Sequence, residues 1–433
     1  MNGNNFLTFK PRARPLALAG FCLFALAGNR LQAQEALRGA IAGDSTASSL
    51  EAAQTTIGYY NLLLGSTAWR FGSTLSATYD DNVTGTADNP KGDLIIAPSV
   101  NTQLHWPVSL RNSLDVGVDV GYSEYLRESN LSEFFITPGS GFSFDVYADN
   151  IKINLHDRIS ISQYGYQNPG AGTDQNLESL QNSIGVSAAM DLDQGQVGAG
   201  YDHSTFESLG QSQDQSASGS DNIFANVGYR VKPQILAGFE VGSSVITEGS
   251  GSASTTNAVT PSAIQYSAGV FSSAQLSEYL SGRIDIGYSI YKNTGQAANV
   301  NSSGSGFNFT ATISHRLNKW LTYSIAAGRS TDLASFGQAQ NRLYIQFNPT
   351  WTLTKNYSIG TPVSWQKGSS VNSIVGANDS DNYTQYTMGI NLGRTLTEKL
   401  SGSIAYQFVD ESGSGGAATY TATIISLSFN YQF

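Results

Sequence analysis

The stretch SLSFNYQF, Ser426 to Phe433, decides the reading of this chain. Ile425, Leu427, Phe429, Tyr431 and Phe433 take every second place, and Ser426, Ser428, Asn430 and Gln432 fill the gaps. A period of two puts the two sets on opposite faces of a β-strand, one apolar and one polar. An aromatic residue closing such a strand calls for a neighbouring strand and an apolar surrounding. Both are sought in the rest of the sequence.

The same alternation recurs from Trp69 onward. LDVGVDVGY sets Leu114, Val116, Val118, Val120 and Tyr122 against Asp115, Gly117, Asp119 and Gly121. RIDIGYSI sets Ile284, Ile286, Tyr288 and Ile290 against Arg283, Asp285, Gly287 and Ser289. FNFTATISHRL, LYIQFNP and KLSGSIAYQF repeat the pattern, so these are strands with one wet face. Their connections take turns between two kinds. Short ones are WPVSLRN, YADNIKI, DLDQGQV, RVKPQI, QLSEYL, RLNKWL, LTKNY and LTEKL, and they return at roughly forty-residue spacing. Long ones, such as GSGSASTTNAVTPSA (249–263), GQSQDQSASGSD and KGSSVNSIVGANDSDN, are rich in Gly, Ser, Asn and Asp.

Short turns on one side and long polar loops on the other are the pattern of a transmembrane antiparallel up-and-down β-barrel with periplasmic turns and extracellular loops. About eight turns and nine loops predict about 18 strands, with 16 as the second choice. Trp69, Trp106, Trp320 and Trp351 fall beside the first strand's start or the short turns, while Trp365 lies near a long loop. They form candidate aromatic girdles at the two membrane interfaces. Tyr79, Tyr122, Tyr166, Tyr288 and Phe408 approach the long loops and are candidates for the outer girdle.

Composition agrees. The chain is 40% hydrophobic but only 13% charged, with 45 glycines and 22 tyrosines, whereas soluble domains average roughly a quarter charged. No composition break divides residues 67–433, which read as one barrel. Lys10, Arg12 and Arg14, then the apolar run LALAGFCLFALAG, then NRLQA predict a signal peptide over 1–33. The run is too short for a membrane helix, which needs about 20 residues. Phe21 before Cys22 speaks against lipidation, which wants a small residue there. Cleavage after Ala33 leaves 19 bases against 33 acids and no cysteine. That acidic balance excludes nucleic acid as an expected partner. Residues 34–66 read as an N-terminal leader or plug, with Leu50, Ala53, Ile57, Tyr60 and Leu64 at roughly helical intervals.

With the apolar set facing lipid, the opposite set lines a lumen. Its charged members are Arg70, Asp115, Asp119, Asp145, Lys152, Arg158, Asp202, Arg230, Glu240, Arg283, Asp285 and Arg316. The three acids Asp115, Asp119 and Asp145 lie apart from most of the arginines, which suggests a field across the pore; cross-strand pairing is the other reading. YDHS, with Asp202 and His203, and Asp80 and Asp81 invite comparison with the omptin-type barrel proteases. Adjacent strand residues point to opposite faces, so Asp202 and His203 do not share a site. His105, His156 and His315 show no nearby Ser and acid at a supporting register, and no catalytic residue is expected. Asn378, Asp379, Asp381 and Asn382 in GANDSDN are hard oxygen donors in alternation, but acid-rich loops are usually solvated, so neither metal nor cofactor is expected.

STLSATYDDNV, in which Tyr79 to Val83 close the first strand, followed by GDLIIAPSVNTQL, resembles the start of the type-2 group of β-barrel porins of Gram-negative bacteria. The resemblance implies an outer-membrane, pore-like barrel. The ending Phe429, Tyr431, Phe433 is similar to the C-terminal signature of bacterial outer-membrane proteins, which implies recognition by the barrel assembly machinery. The expected partners are therefore outer-membrane lipid, that machinery and small hydrophilic solutes, with homo-oligomerisation left open. The expected function is a passive, porin-like channel for small hydrophilic solutes. The alternative is a closed or plugged barrel serving an exopolysaccharide or protein-sorting system as an assembly or export partner.

Overall fold

The computed structural model describes residues 60–163, 178–209, 218–248, 262–293, 303–333, 339–370, 382–414 and 419–433. Within them run β1 Leu62–Leu64, β2 Thr67–Asp80, β3 Asp93–Pro107, β4 Ser113–Tyr125, β5 Glu133–Ala148, β6 Ile151–Gln163 and β7 Glu178–Leu192. They continue with β8 Gly195–Ser208, β9 Ser218–Lys232, β10 Ile235–Glu248, β11 Ser262–Ser277, β12 Leu280–Asn293, β13 Ser303–Arg316 and β14 Leu321–Leu333. The last are β15 Ala339–Thr354, β16 Tyr357–Gly360, β17 Val363–Ser370, β18 Asn382–Thr395, β19 Leu400–Ser414 and β20 Tyr420–Gln432.

Each strand pairs antiparallel with the next, β16 and β17 counting as one, and β20 pairs with β2 from Gly72↔Gln432 to Asp80↔Ile424, which closes the sheet. β16 and β17 are two halves of one wall strand, both set between β15 and β18 and interrupted at Thr361 and Pro362. Proline has no N–H for the ladder, which accounts for the break. Counting them as one, and setting the three-residue β1 aside, the wall is an 18-strand closed barrel. Eight connections on one rim range from two residues (149–150) to five (108–112). The nine on the other rim range from five (334–338) to fourteen (164–177). The turn asymmetry of the sequence is thus the barrel's polarity, short turns facing the periplasm.

The wall obeys the alternation. Val118, Ile223, Val227, Val241, Ile284, Ile286, Ile290, Ile390 and Ile404 are all more than 40% exposed, which is how an outer face made for lipid must appear. The inward set contains most of the buried polar groups, among them Arg70, Asp115, Asp145, Asp202, Glu240 and Glu411. Such an inversion, apolar outside and polar inside, has no place in water. No helix among the described residues is long and apolar enough to cross a membrane; this chain crosses with strands.

Two irregularities matter for the lumen. In β5 the register shifts against both β4 and β6 near Thr137–Pro138–Gly139, a bulge of two extra residues. The Ser140 hydroxyl takes over from the ladder there, accepting the Asp119 N–H at 3.0 Å and donating to the Asp119 carbonyl at 3.4 Å. Gly141 follows at φ +154°, and a Cβ there would lie 2.0 Å from the Asp157 carbonyl oxygen, so only glycine fits. The second irregularity is at the seam. β20 covers β2 only from Gly72 upward, and β1 pairs with Thr67–Trp69 to cover the rest. The expected signal peptide over 1–33 and most of the expected leader or plug over 34–66 lie outside the described residues.

Candidate functional site

The lumen owes its shape to glycine. Phe224 lies over Gly200, Phe135 over Gly121, Tyr344 over Gly328 and Tyr383 over Gly368, each ring within 3 Å of where a Cβ would stand. Large inward rings are thereby laid flat along the wall instead of projecting into the pore. Phe224, Phe271, Tyr291, Tyr344, Tyr383 and Tyr420 are all buried. Extensive packing between elements runs only between neighbouring strands, so no described strand fills the lumen.

The inward charges are placed where alternation puts them, and several are paired. Lys152 Nζ is 3.0 Å from Asp145, and His105 Nδ1 is 2.5 Å from Asp115. Arg283 stands between Glu240 at 3.3 Å and Asp285 at 2.6 Å, with its guanidinium 4.7 Å from the centre of the Phe271 ring. Arg230 reaches Asp191 at 2.6 Å near the periplasmic rim, and Arg316 rests on the Tyr279 ring there. Arg70 is buried, and Arg158 is half-buried on β6. Asp119, half-buried beside the β5 bulge, forms no ion pair among the described residues. The three acids of β4 and β5 therefore do not form an unpaired wall. Same-face neighbours on adjacent strands stand about 5 Å apart, close enough for opposite charges to find each other.

One expectation fails outright. His156 has an acid in reach: its Nε2 is 2.7 Å from Asp202, and its Nδ1 is 2.9 Å from Asn154. His203 also has one, Asp221 at 2.8 Å, but on the outer face. There Tyr201 donates to the same Asp221 at 2.6 Å, and Asn182 donates to Asp157 at 2.7 Å. The opposed orientation of Asp202 and His203 follows the alternation, whereas the cross-strand partners depend on register, which no single strand reveals. Ser143 is the register partner of His156 on the same inner face, but its hydroxyl accepts from Asn154 at 2.7 Å and makes no hydrogen bond with His156. Among the described residues no group of His, Cys, Asp and Glu could hold a metal ion. Asn378, Asp379 and Asp381 lie outside the described residues.

A continuous polar chain crosses the inner wall from β15 to β20. Arg342 donates to Gln366 at 3.4 Å, Gln366 to Gln385 at 2.7 Å, and Gln385 to Glu411 at 2.8 Å; Tyr420 donates to Glu411 at 3.3 Å. Nothing in the sequence separates these glutamines from ordinary wet-face residues. Next to this chain, the Tyr79–Val83 stretch ties the first long loop to β20. The Asp81 carboxylate accepts the Thr423 N–H at 2.7 Å, and Asn82 donates to the carbonyls of Thr421 and Thr86, both at 2.9 Å. Asp80 accepts the Asn82 N–H at 2.9 Å.

The tryptophans sit at the two rims. Trp69 stacks on Phe71 with ring centres 5.9 Å apart, and Trp106 and Trp320 are exposed at the periplasmic end. Trp351 faces outward near the periplasmic end of β15, and Trp365 pairs with Tyr386 near the long-loop end. Tyr79, Tyr122 and Tyr288 are exposed toward the long loops; Tyr166 lies outside the described residues. Phe429, Tyr431 and Phe433 are outward and about 40–50% exposed, with Tyr431 and Phe433 edge to face.

This architecture defines a transmembrane β-barrel of the bacterial outer-membrane class. No family model matches the chain, and no curated protein does. Among solved structures it is similar to three Pseudomonas aeruginosa proteins at low identity. The outer membrane protein OpdK matches at 9% identity and a TM-score of 0.46, over 84% of this chain and 99% of that one. OccK5 (OpdH) matches at 9% and 0.47, over 86% and 99%. OccK2 (OpdF) matches at 12% and 0.46, over 86% and 98%.

Proposed function

We propose that this barrel is a passive, water-filled channel for small hydrophilic solutes, with a mild preference for cations. The observation that carries this reading is the inner wall itself: it holds most of the buried polar groups, and rings such as Phe224, Tyr344 and Tyr383 lie over glycines. An 18-strand wall is wide enough for an aqueous passage. A polar wall of small residues and mutually paired charges holds no ion tightly, so solutes pass without being trapped. The aromatic rims would anchor the barrel in the outer membrane, and Phe429, Tyr431 and Phe433 would present the last strand to the assembly machinery.

Planar-bilayer conductance of the refolded protein tests the channel. Open steps with reversal potentials favouring cations in dilute salt are expected. Replacing Asp115, Asp119 and Asp145 by Asn should move those potentials toward anions, an effect that fades at about 1 M salt, where the screening length is roughly 3 Å. A folded, inserted and electrically silent protein, with and without the residues before Trp69, overturns the reading. Conductance that starts only when that segment is removed would identify a plugged barrel instead.

A further inference from the structure

The outer face of β14, β15, β17 and β18 changes from apolar to polar across three successive rows. The lowest row is Ala327, Ile345, Trp365 and Tyr386, which are register partners in that order. The next is Arg329, Leu343, Lys367 and Thr384, and the third is Asn341, Ser369 and Asn382. Outward placement follows from the opposite face, since Gly328, Arg342, Tyr344, Gln366, Gly368 and Tyr383 are inward and buried. Arg329 and Lys367 are exposed, and neither forms an ion pair with any described residue. Two cations thus stand on either side of Leu343, Lys367 directly above Trp365 and Arg329 above Ala327, at the row where lipid-facing chemistry stops.

Trp and Tyr mark the level at which hydrocarbon gives way to headgroups. The row two residues nearer the long loops therefore stands among the headgroups of the outer leaflet. Two strand spacings separate the Arg329 and Lys367 backbones by about 10 Å. Both side chains are long enough to lean over Leu343 toward one anion. Guanidinium offers a planar fork to a phosphate and ammonium adds a point charge, a combination suited to an oxyanion held at a membrane surface.

We infer that Arg329 and Lys367 form an outward-facing site for the phosphorylated headgroup of an outer-leaflet lipid, with Leu343, Trp365 and Tyr386 against its acyl portion. The site belongs to the barrel's flank and is independent of what passes through the lumen.

The test is native mass spectrometry of the full-length barrel in detergent, offered a phosphorylated glycolipid, the same glycolipid after dephosphorylation, or inorganic phosphate. The wild type should retain the phosphorylated lipid at least tenfold better than the dephosphorylated one. Raising the salt to about 1 M before transfer should weaken retention. The double variant Arg329→Gln/Lys367→Gln should lose the preference, Arg329→Lys should keep most of it, and Arg394→Gln at the opposite rim should not alter it. Equal retention of the two lipids by the wild type overturns the site without recourse to any variant. So does displacement by millimolar inorganic phosphate, which would mark a free-anion site, or a second protomer held in place of lipid.

Discussion

His156 and Asp202 touch across a strand that lies between them. They belong to β6 and β8, and the register runs His156↔Gly185↔Asp202 through β7. Their 2.7 Å contact exists because Gly185 leaves the inner surface of β7 bare at that point. A buried imidazole–carboxyl hydrogen bond thereby staples three strands of the wall.

Gly185→Ala should break that staple. The new Cβ would lie 2.1 Å from Asp202 Oδ1 and 2.6 Å from His156 Nε2, so both side chains must move. A cost of about 1–3 kcal/mol is expected from overpacking. Gly139→Ala, where a Cβ meets nothing within 4 Å, is the control. Urea unfolding in detergent, followed by the gel shift of the folded barrel, measures both. Equal midpoints would show that the pair contributes nothing.

Lipid-facing positions should be far less tolerant of charge than inward ones. Ile286→Arg should cost about 2–4 kcal/mol if it lies near the midplane, while Ser314→Arg on the inner face should be mild. Gly287 does not serve as the contrast, because a Cβ there would come within 2.9 Å of the Ala268 carbonyl oxygen. Comparable losses at Ile286 and Ser314 in a lipid-bilayer folding assay would contradict the assignment of faces.

Gln385→Leu should destabilise the wall between β17 and β19. The substitution removes an amide that accepts from Gln366 and donates to Glu411, which is 1% exposed. Burying a carboxylate without that donor costs about 1–3 kcal/mol. The loss should appear as a lower melting temperature by circular dichroism, with insertion into bilayers retained. An unchanged melting curve would mean that other partners of Glu411 suffice.

Asn61→Ala should loosen the seam at the periplasmic rim. Its amide donates to the carbonyls of Phe71 (2.9 Å) and Phe433 (2.5 Å), and its oxygen accepts the Phe71 N–H at 2.6 Å. Three bonds on the one place where the ladder changes partner should be worth about 1–3 kcal/mol together. Hydrogen exchange at Phe71 and Phe433 should accelerate while the middle of β2 stays protected. Uniform protection in the variant would rule out a role for Asn61 at the seam.

The strand count was legible because two signals agree independently: period-two alternation within segments such as 114–122 and 284–290, and turn residues that sort by length. Facing was legible for the same reason, which is why Asp202 and His203 separate correctly. Pairing was not. The meeting of His156 with Asp202, or of Gln385 with Glu411, depends on register between strands, and register is set by the stagger of the whole barrel. The β5 bulge shifts it again by two residues, with only TPGSG as an outward sign. Outward polar groups such as Asp157 and Asp221 are hidden for a related reason, since they are satisfied on the outer face by cross-strand partners, Asn182 and His203, that only register brings together.

Every ladder in the wall joins strands that follow one another in the chain, except the one between β20 and β2. There Asn430 meets Thr74, 356 residues apart in sequence. Hairpins of roughly thirty residues can form on their own timescale, but this last pairing must close a loop more than ten times longer. At about 0.6 kcal/mol per doubling of length, the added entropy is on the order of 2 kcal/mol, modest as a penalty and decisive as an ordering rule. Until it forms, β2 and β20 each present a bare edge to any other strand nearby. The first strand made must therefore wait for the last, and the time spent waiting is when a neighbouring copy could take its place.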